Sequence, residues 1–180
     1  MKEITIKGSS ELFDSSTNTF YEIKGQTITI EHSLVSISKW EAKWHKPYLS
    51  STDKTTEEIL DYIRMMTLTK NVDPRLYYLL SEENMREISD YINDPMTATW
   101  FAKNNENHHS NRVITSEVLY CWMINLGIPM ECQKWHLNRL ITLIRVCNAE
   151  NNPKKMGRGA EARQRSALNR ARRQAHGSRG

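Results

Sequence analysis

The chain lacks a disulfide framework, a membrane-length apolar run and any coherent arrangement of catalytic groups. Its three cysteines, Cys121, Cys132 and Cys147, are odd in number and irregular in spacing, with no CxxC knuckle. They read as small buried apolar residues in a reducing compartment. The opening MKEITIKGSSELFD lacks the apolar core of a secretory leader, and no later stretch approaches a bilayer-spanning length. A cytoplasmic protein with no membrane partner is expected. No internal repeat is visible.

Aromatic residues are missing from one part altogether. All five Trp, seven Tyr and three Phe precede Asn151, and the residues after it contain a single Leu. Charge divides at the same place. Residues 151–180 hold nine Lys/Arg against one Glu, a net of +8, whereas residues 1–150 hold 16 basic and 20 acidic residues, a net of −4. Folding needs apolar burial to offset ordering entropy, so the body can fold and the tail cannot do so alone. The expected domains are a β segment at 1–32, a helical domain at 33–150, and a basic tail at 151–180 that is disordered or partly helical.

Within the body, Ile4 and Ile6 alternate with polar neighbours. Residues 20–24 and 27–31 flank Gly25-Gln26 with the same two-residue period, which predicts a short hairpin or small sheet. From Ser33 the period becomes helical: Leu34, Ile37, Trp40 and Trp44 share one side, and Pro47 marks the stop. Thr55 with Glu58 three residues later is a capping-box pattern, ahead of the apolar face Ile59, Tyr62, Ile63 and Met66. Asp73-Pro74 is a helix opening, and a further helix over 82–93 buries Met85, Ile88, Tyr91 and Ile92 before Asp94-Pro95 ends it. Residues 103–112 are polar throughout and read as an exposed loop. Residues 118–126 are apolar around nearly the whole circumference, which predicts a helix at the centre of the fold. Gly127 suits its C-terminal cap and Pro129 opens a last helix over 130–148. The expected fold is mainly α: a short N-terminal β-hairpin packed on a helical bundle of about five helices, then a basic flexible or partly helical C-terminal tail.

Each candidate site has a plainer reading beside it. Cys132 and His136 are four apart and could face one metal ion from a helix, with Cys121 and Cys147 completing a set. Buried thiols and a half-exposed histidine are preferred. His108-His109 could serve as acid or base, but no nearby run of Asp, Ser or Cys makes a coherent mechanism, so a solvated loop is preferred. Glu57, Glu58 and Asp61 are explained by the helix dipole and cap. Residues 113–148 can be drawn as a helix-turn-helix, yet the second helix has only Lys134 and Arg145 on its wet stripe, which favours an ordinary α-hairpin. Residues 38–49 (SKWEAKWHKPYL) mix aromatics with cations as single-strand binders do. Trp40 and Trp44 lie on the apolar stripe, so packing inside is preferred. The tail has three open readings: tracking nucleic-acid phosphates, folding as a helix on a protein partner, or solubilising the chain. The second is favoured, with Arg163, Arg165, Arg170, Arg172 and Arg173 as its contacts.

Four segments carry a family resemblance: EHSLVSISKWEAKWHKPYL at 31–49, KTTEEILDYIRMMTL at 54–68, NDPMTATWF at 93–101 and WHLNRLITLIRVCN at 135–148. Together with the Arg/Ala-rich tail they resemble the tail assembly chaperones of tailed bacteriophages and prophages, over about residues 28–180. The first run is the most specific, and the tail is compositionally cheap. The resemblance implies a non-enzymatic assembly factor in the cytoplasm of an infected bacterium, absent from the mature virion. It would bind the tape-measure protein and keep it soluble until tail-tube subunits polymerise around it, with the tail tube protein as a second candidate partner. It implies no cofactor, no metal and no catalytic residue. Two competing classes remain open: a structural phage component, such as a baseplate or head–tail connector protein, and a nucleic-acid-binding accessory protein acting through the tail.

Overall fold

The computed structural model describes residues 1–14, 18–99, 101, 113–151 and 166. Strands Lys2–Ile6 (β1), Ser9–Asp14 (β2), Thr19–Ile23 (β3) and Gln26–Ile30 (β4) open the chain. β1 pairs antiparallel with β4, and β2 with β3. The register of Ile6 opposite Gln26 carries on unshifted to Ser9 opposite Ile23, so the two pairs form one ribbon; a single shift follows between Ser9 and Leu12. Gly25-Gln26 is therefore not the hairpin turn that the flanking strands suggested. The ribbon is interrupted at Lys24-Gly25, opposite Lys7-Gly8. A Cβ on Gly25 would stand 2.7 Å from the Gly8 nitrogen and 2.8 Å from the Ile6 carbonyl oxygen. Only residues without side chains allow the two backbones to come this close.

The two-residue period itself holds. Ile4, Ile6, Ile28 and Ile30 point to one face and are fully buried, each contributing about 2–3 kcal/mol of burial. On the opposite face the Thr5 and Thr27 hydroxyls meet at 3.0 Å. After the second helix the chain returns alongside β4: the Glu31 N–H donates to the Met66 carbonyl at 2.9 Å and the Leu68 N–H to the Thr29 carbonyl at 2.8 Å.

Helix Leu34–Trp44 (α1) starts at Ser33, whose hydroxyl accepts from the Ser36 N–H, and ends at His45 in the left-handed region. Leu34, Ile37 and Trp40 are fully buried, while Trp44 is half-exposed. Helix Thr56–Met66 (α2) has the reciprocal Thr55–Glu58 cap that the sequence predicted. Tyr62, Ile63 and Met66 are buried from its apolar face, and Ile59 sits at the exposed margin. A short 3-10 helix, Pro74–Leu79, follows the Asp73 cap, and helix Glu82–Asn93 (α3) has the expected bounds and lies against β1.

Helix Ser116–Asn125 (α4) is a correction. Its apolar circumference predicted the centre of the fold, yet it buries only Ser116, Leu119 and Met123, and Ile124 is 68% exposed. The centre belongs to α1, which packs against α2, α4 and the 3-10 helix Met130–Lys134. α1 can occupy it because its polar residues find partners inside. The Ser36 hydroxyl donates to the Ser33 carbonyl at 2.7 Å. The Glu41 carboxylate accepts from the Tyr48 N–H at 2.8 Å and from the Ser116 N–H at 2.7 Å. Glu41 thus caps α4 from another helix, where Thr115 makes no side-chain cap bond of its own.

The single helix expected over 130–148 is also divided. Gly127, at φ +64°, ends α4 and Pro129 precedes the 3-10 helix as expected, but helix Leu137–Asn151 (α5) begins only after Trp135-His136. His136 forms a bridge with Ser33, and the Leu137 N–H donates to the His32 carbonyl at 2.7 Å. A tertiary backbone pairing breaks the helix at this point, despite continuous apolar periodicity. The chain separates into two compact units, Met1–Arg145 and Val146–Gly180. No helix among the described residues is long and apolar enough to cross a membrane.

Candidate functional site

A cleft of about 600 Å³ opens where α1, the end of α2, the turn after α3 and the start of α5 meet. Val35, Met65, Met66, Leu68, Met96 and Trp135 supply its apolar surface. Lys39, Lys134 and Arg139 also line it, and all three are exposed. Val35 and Lys39 are four apart on α1 and so project from one side of that helix.

Backbone pairings hold these parts together. The bonds from Glu31 to Met66 and from Leu68 to Thr29 fix the end of α2 on the ribbon, and the Ser33–His136 bridge fixes Trp135 beside the start of α1. The turn after α3 is tied by Asn138, whose amide donates to the Ile92 carbonyl at 3.0 Å and the Asp94 carbonyl at 2.8 Å. Met96 occupies the left-handed region at φ +50°, and its N–H donates to the Asp94 carboxylate at 2.7 Å. That backbone conformation costs a non-glycine residue about 1–2 kcal/mol.

The acid and the histidine of the cleft are already engaged. One Glu31 oxygen accepts from the Tyr91 hydroxyl at 2.6 Å, and the other pairs with the Met1 ammonium at 2.8 Å. The His136 Nε2–H donates to the Tyr91 carbonyl at 3.0 Å, and Nδ1 accepts from the Asn138 N–H at 3.3 Å. Both nitrogens are used by a neutral imidazole, and burial lowers the pKa of this ring. Arg139 stacks over the Trp135 ring at 4.2 Å. Among the described residues, Lys39, Lys134 and Arg139 form no ion pair.

Behind the cleft lies a buried aromatic–polar layer. His32 shares a 2.5 Å hydrogen bond with the Tyr62 hydroxyl, and its ring meets that of His136 edge-on at 5.1 Å. Tyr62 stacks on Tyr48 at 4.0 Å. Burial first, then the neighbouring His136, pushes the His32 pKa down to about 3. Burial raises the Tyr62 hydroxyl well above its ordinary value and takes Tyr48 outside the usual tyrosine range. These groups stay neutral near pH 7 and act as packing and hydrogen-bonding elements.

No protein-family model, characterised protein or solved structure matches the chain.

The sites suggested by sequence fare differently. Arg163, Arg165, Arg170, Arg172 and Arg173 lie outside the described residues, as do His108 and His109. His136 is buried, not half-exposed, and its nitrogens are bonded to protein; Cys132 is buried and Cys121 exposed. Among the described residues no group of three or more His, Cys, Asp or Glu is placed to hold a metal ion. Of the acidic patch on α2, Glu57 is exposed but Glu58 and Asp61 are buried, which the cap-and-dipole reading missed. The Lys46 ammonium and the Thr55 N–H hold the Glu58 carboxyl below the usual range. At Asp61 burial acts upward but Lys43 and Arg64 outweigh it, so this carboxyl is also lowered. The Trp44 Nε1–H donates to Asp61 at 3.1 Å, so this tryptophan joins the α1–α2 interface by its polar edge.

Sequence reading missed the cleft as a site, although it singled out the segments that form it. Every lining residue except Met1 and Lys134 falls within residues 31–49, 54–68, 93–101 and 135–148.

Proposed function

We propose that this chain is a tail assembly chaperone of a tailed bacteriophage: a non-enzymatic escort that binds the tape-measure protein and assists tail-tube assembly. It works in the cytoplasm of the infected bacterium and is left out of the finished particle. The observation that carries this reading is convergence. Segments far apart in sequence, each resembling that family, fold together around one Met- and Trp-floored cleft.

Such a cleft suits side chains of another protein. Methionine is unbranched and polarizable, so a Met-lined surface adapts to different apolar partners. The acid and the histidine that line it are committed to internal bonds: His136 through both nitrogens and Glu31 through both oxygens. A tape-measure protein is a long helical chain whose bare apolar stripes would aggregate. In this proposal the cleft covers such stripes, and Arg163, Arg165, Arg170, Arg172 and Arg173 add contacts from the tail.

Co-expression with the phage's own tape-measure protein tests this. The chain should keep that protein soluble and co-purify with it, and mass spectrometry of purified virions should not find the chain. Fixed stoichiometry in virions would instead make it a baseplate or connector component. The +8 charge of residues 151–180 favours one second reading, a nucleic-acid accessory role. A steep fall of DNA affinity with salt, without tape-measure binding, would select it.

A further inference from the structure

We infer that the cleft between α1, the end of α2 and the start of α5 is a docking groove for an acidic, apolar-anchored helical segment of a partner protein. Two features of the groove together define the occupant. Its floor is apolar, with Met66 at the bottom and Met65, Leu68 and Met96 around it, so it takes aliphatic or aromatic side chains. Its rim is cationic and internally unanswered. Lys39, Lys134 and Arg139 are exposed and form no ion pair among the described residues, while the lining carboxylate, Glu31, is already neutralised. Carboxylates flanking an apolar stripe would complete the pairing that the fold leaves open.

The dimensions agree with a helix face. At about 600 Å³ the groove holds a few large side chains, the number that a helix presents on one side through i, i+3 or i+4, and i+7 anchors. Arg139 is stacked on Trp135 and so held ready for a carboxylate, losing less freedom on binding than a loose arginine would. Met96 is kept at the groove by a left-handed backbone and two bonds from Asn138 to the turn before it. Phosphate chains would match the rim but would leave the methionine floor without a partner, so a protein segment is favoured over a nucleic acid.

The physiological occupant, a segment of the tape-measure protein, rests on the chaperone reading; the chemistry of the groove does not. The test uses the full chain and fluorescein-labelled helical peptides of about 15 residues, with leucine at i, i+4 and i+7. One peptide carries flanking Glu, a second Gln, a third Lys, and binding is read by fluorescence anisotropy. The Glu peptide should bind, the Gln peptide about ten-fold more weakly, and the Lys peptide not measurably. The double variant K39E/R139E should weaken the Glu peptide at least about ten-fold, as should raising the salt toward 1 M. K7E, on the ribbon, should leave binding unchanged, and urea midpoints of both variants should match the parent. Equal binding of Glu and Gln peptides, insensitivity to K39E/R139E, or displacement of the Glu peptide by single-stranded oligonucleotide would overturn the inference. Co-expression separates the two proposals. If the tape-measure protein fails to co-purify while peptide binding holds, only the chaperone reading falls. If it co-purifies equally well with K39E/R139E, only the groove assignment falls.

Discussion

Mild acid should destabilise this protein through His32. The ring is buried, bonded to Tyr62 and edge-on to His136, and its pKa in the fold is about 3 against an ordinary 6.5. Between those values the unfolded chain binds a proton that the folded chain refuses. Stability contributed by the neutral ring is therefore intact above pH 6.5 and is lost as pH falls toward 3. One proton corresponds to about 1.4 kcal/mol per pH unit, so going from pH 7 to pH 5 should cost about 2 kcal/mol from His32. His136, also lowered by burial, acts in the same direction and adds to it. Against a total stability of about 5–15 kcal/mol this is a large fraction. The assay is urea unfolding at several pH values, followed by tryptophan fluorescence, to which the fully buried Trp40 contributes. His32→Gln retains hydrogen-bonding capacity for the Tyr62 hydroxyl and should reduce the slope over this range by about one proton. A urea midpoint that stays flat from pH 7 to pH 5, or an H32Q variant with the parent slope, would refute the reasoning.

Three further outcomes follow from packing. Glu41→Ala removes the acceptor for the Tyr48 and Ser116 N–H groups and should cost about 2–3 kcal/mol in urea unfolding; a loss below about 0.5 would contradict the cross-helix cap. Gly25→Ala drives a methyl group against the backbone of Ile6 and Gly8 and should lower the thermal midpoint by several degrees, about 2 kcal/mol or more, whereas an unchanged midpoint would mean that the ribbon is not closed there. His45→Gly should be neutral or stabilise by about 0.5–1 kcal/mol in the same assay, because His45 closes α1 at φ +53°.

Local signals were legible in the sequence wherever their physics is local. The Thr55–Glu58 cap, the Asp73-Pro74 opening, the bounds of α3 and the Gly127 stop depend on residues within one turn of each other. The alternation of Ile4, Ile6, Ile28 and Ile30 likewise marks a half-buried ribbon, but pairing is non-local, so Gly25-Gln26 could pass for a turn. Long-range satisfaction of polar groups was invisible. Glu41 and Ser36 make α1 look amphipathic and peripheral, yet their partners lie inside, and α1 takes the centre from the more apolar α4. The break at Trp135-His136 arises from Ser33, about a hundred residues earlier, so no window of helical periodicity contains it. The cleft was hidden for the same reason. Val35, Met65, Met96 and Trp135 stand on four separate segments of the chain, and only the fold gathers them beside Lys39 and Arg139.

The central claim is that the cleft receives a segment of a partner chain, and site-specific photo-crosslinking tests it most directly. A benzophenone side chain replacing Met96, in the full-length protein co-expressed with the tape-measure protein, should yield a covalent adduct of the two. The same probe at exposed Phe20, on the ribbon, should yield none. Adducts from position 20 but not from position 96, or co-purification with no adduct at position 96, would contradict the account.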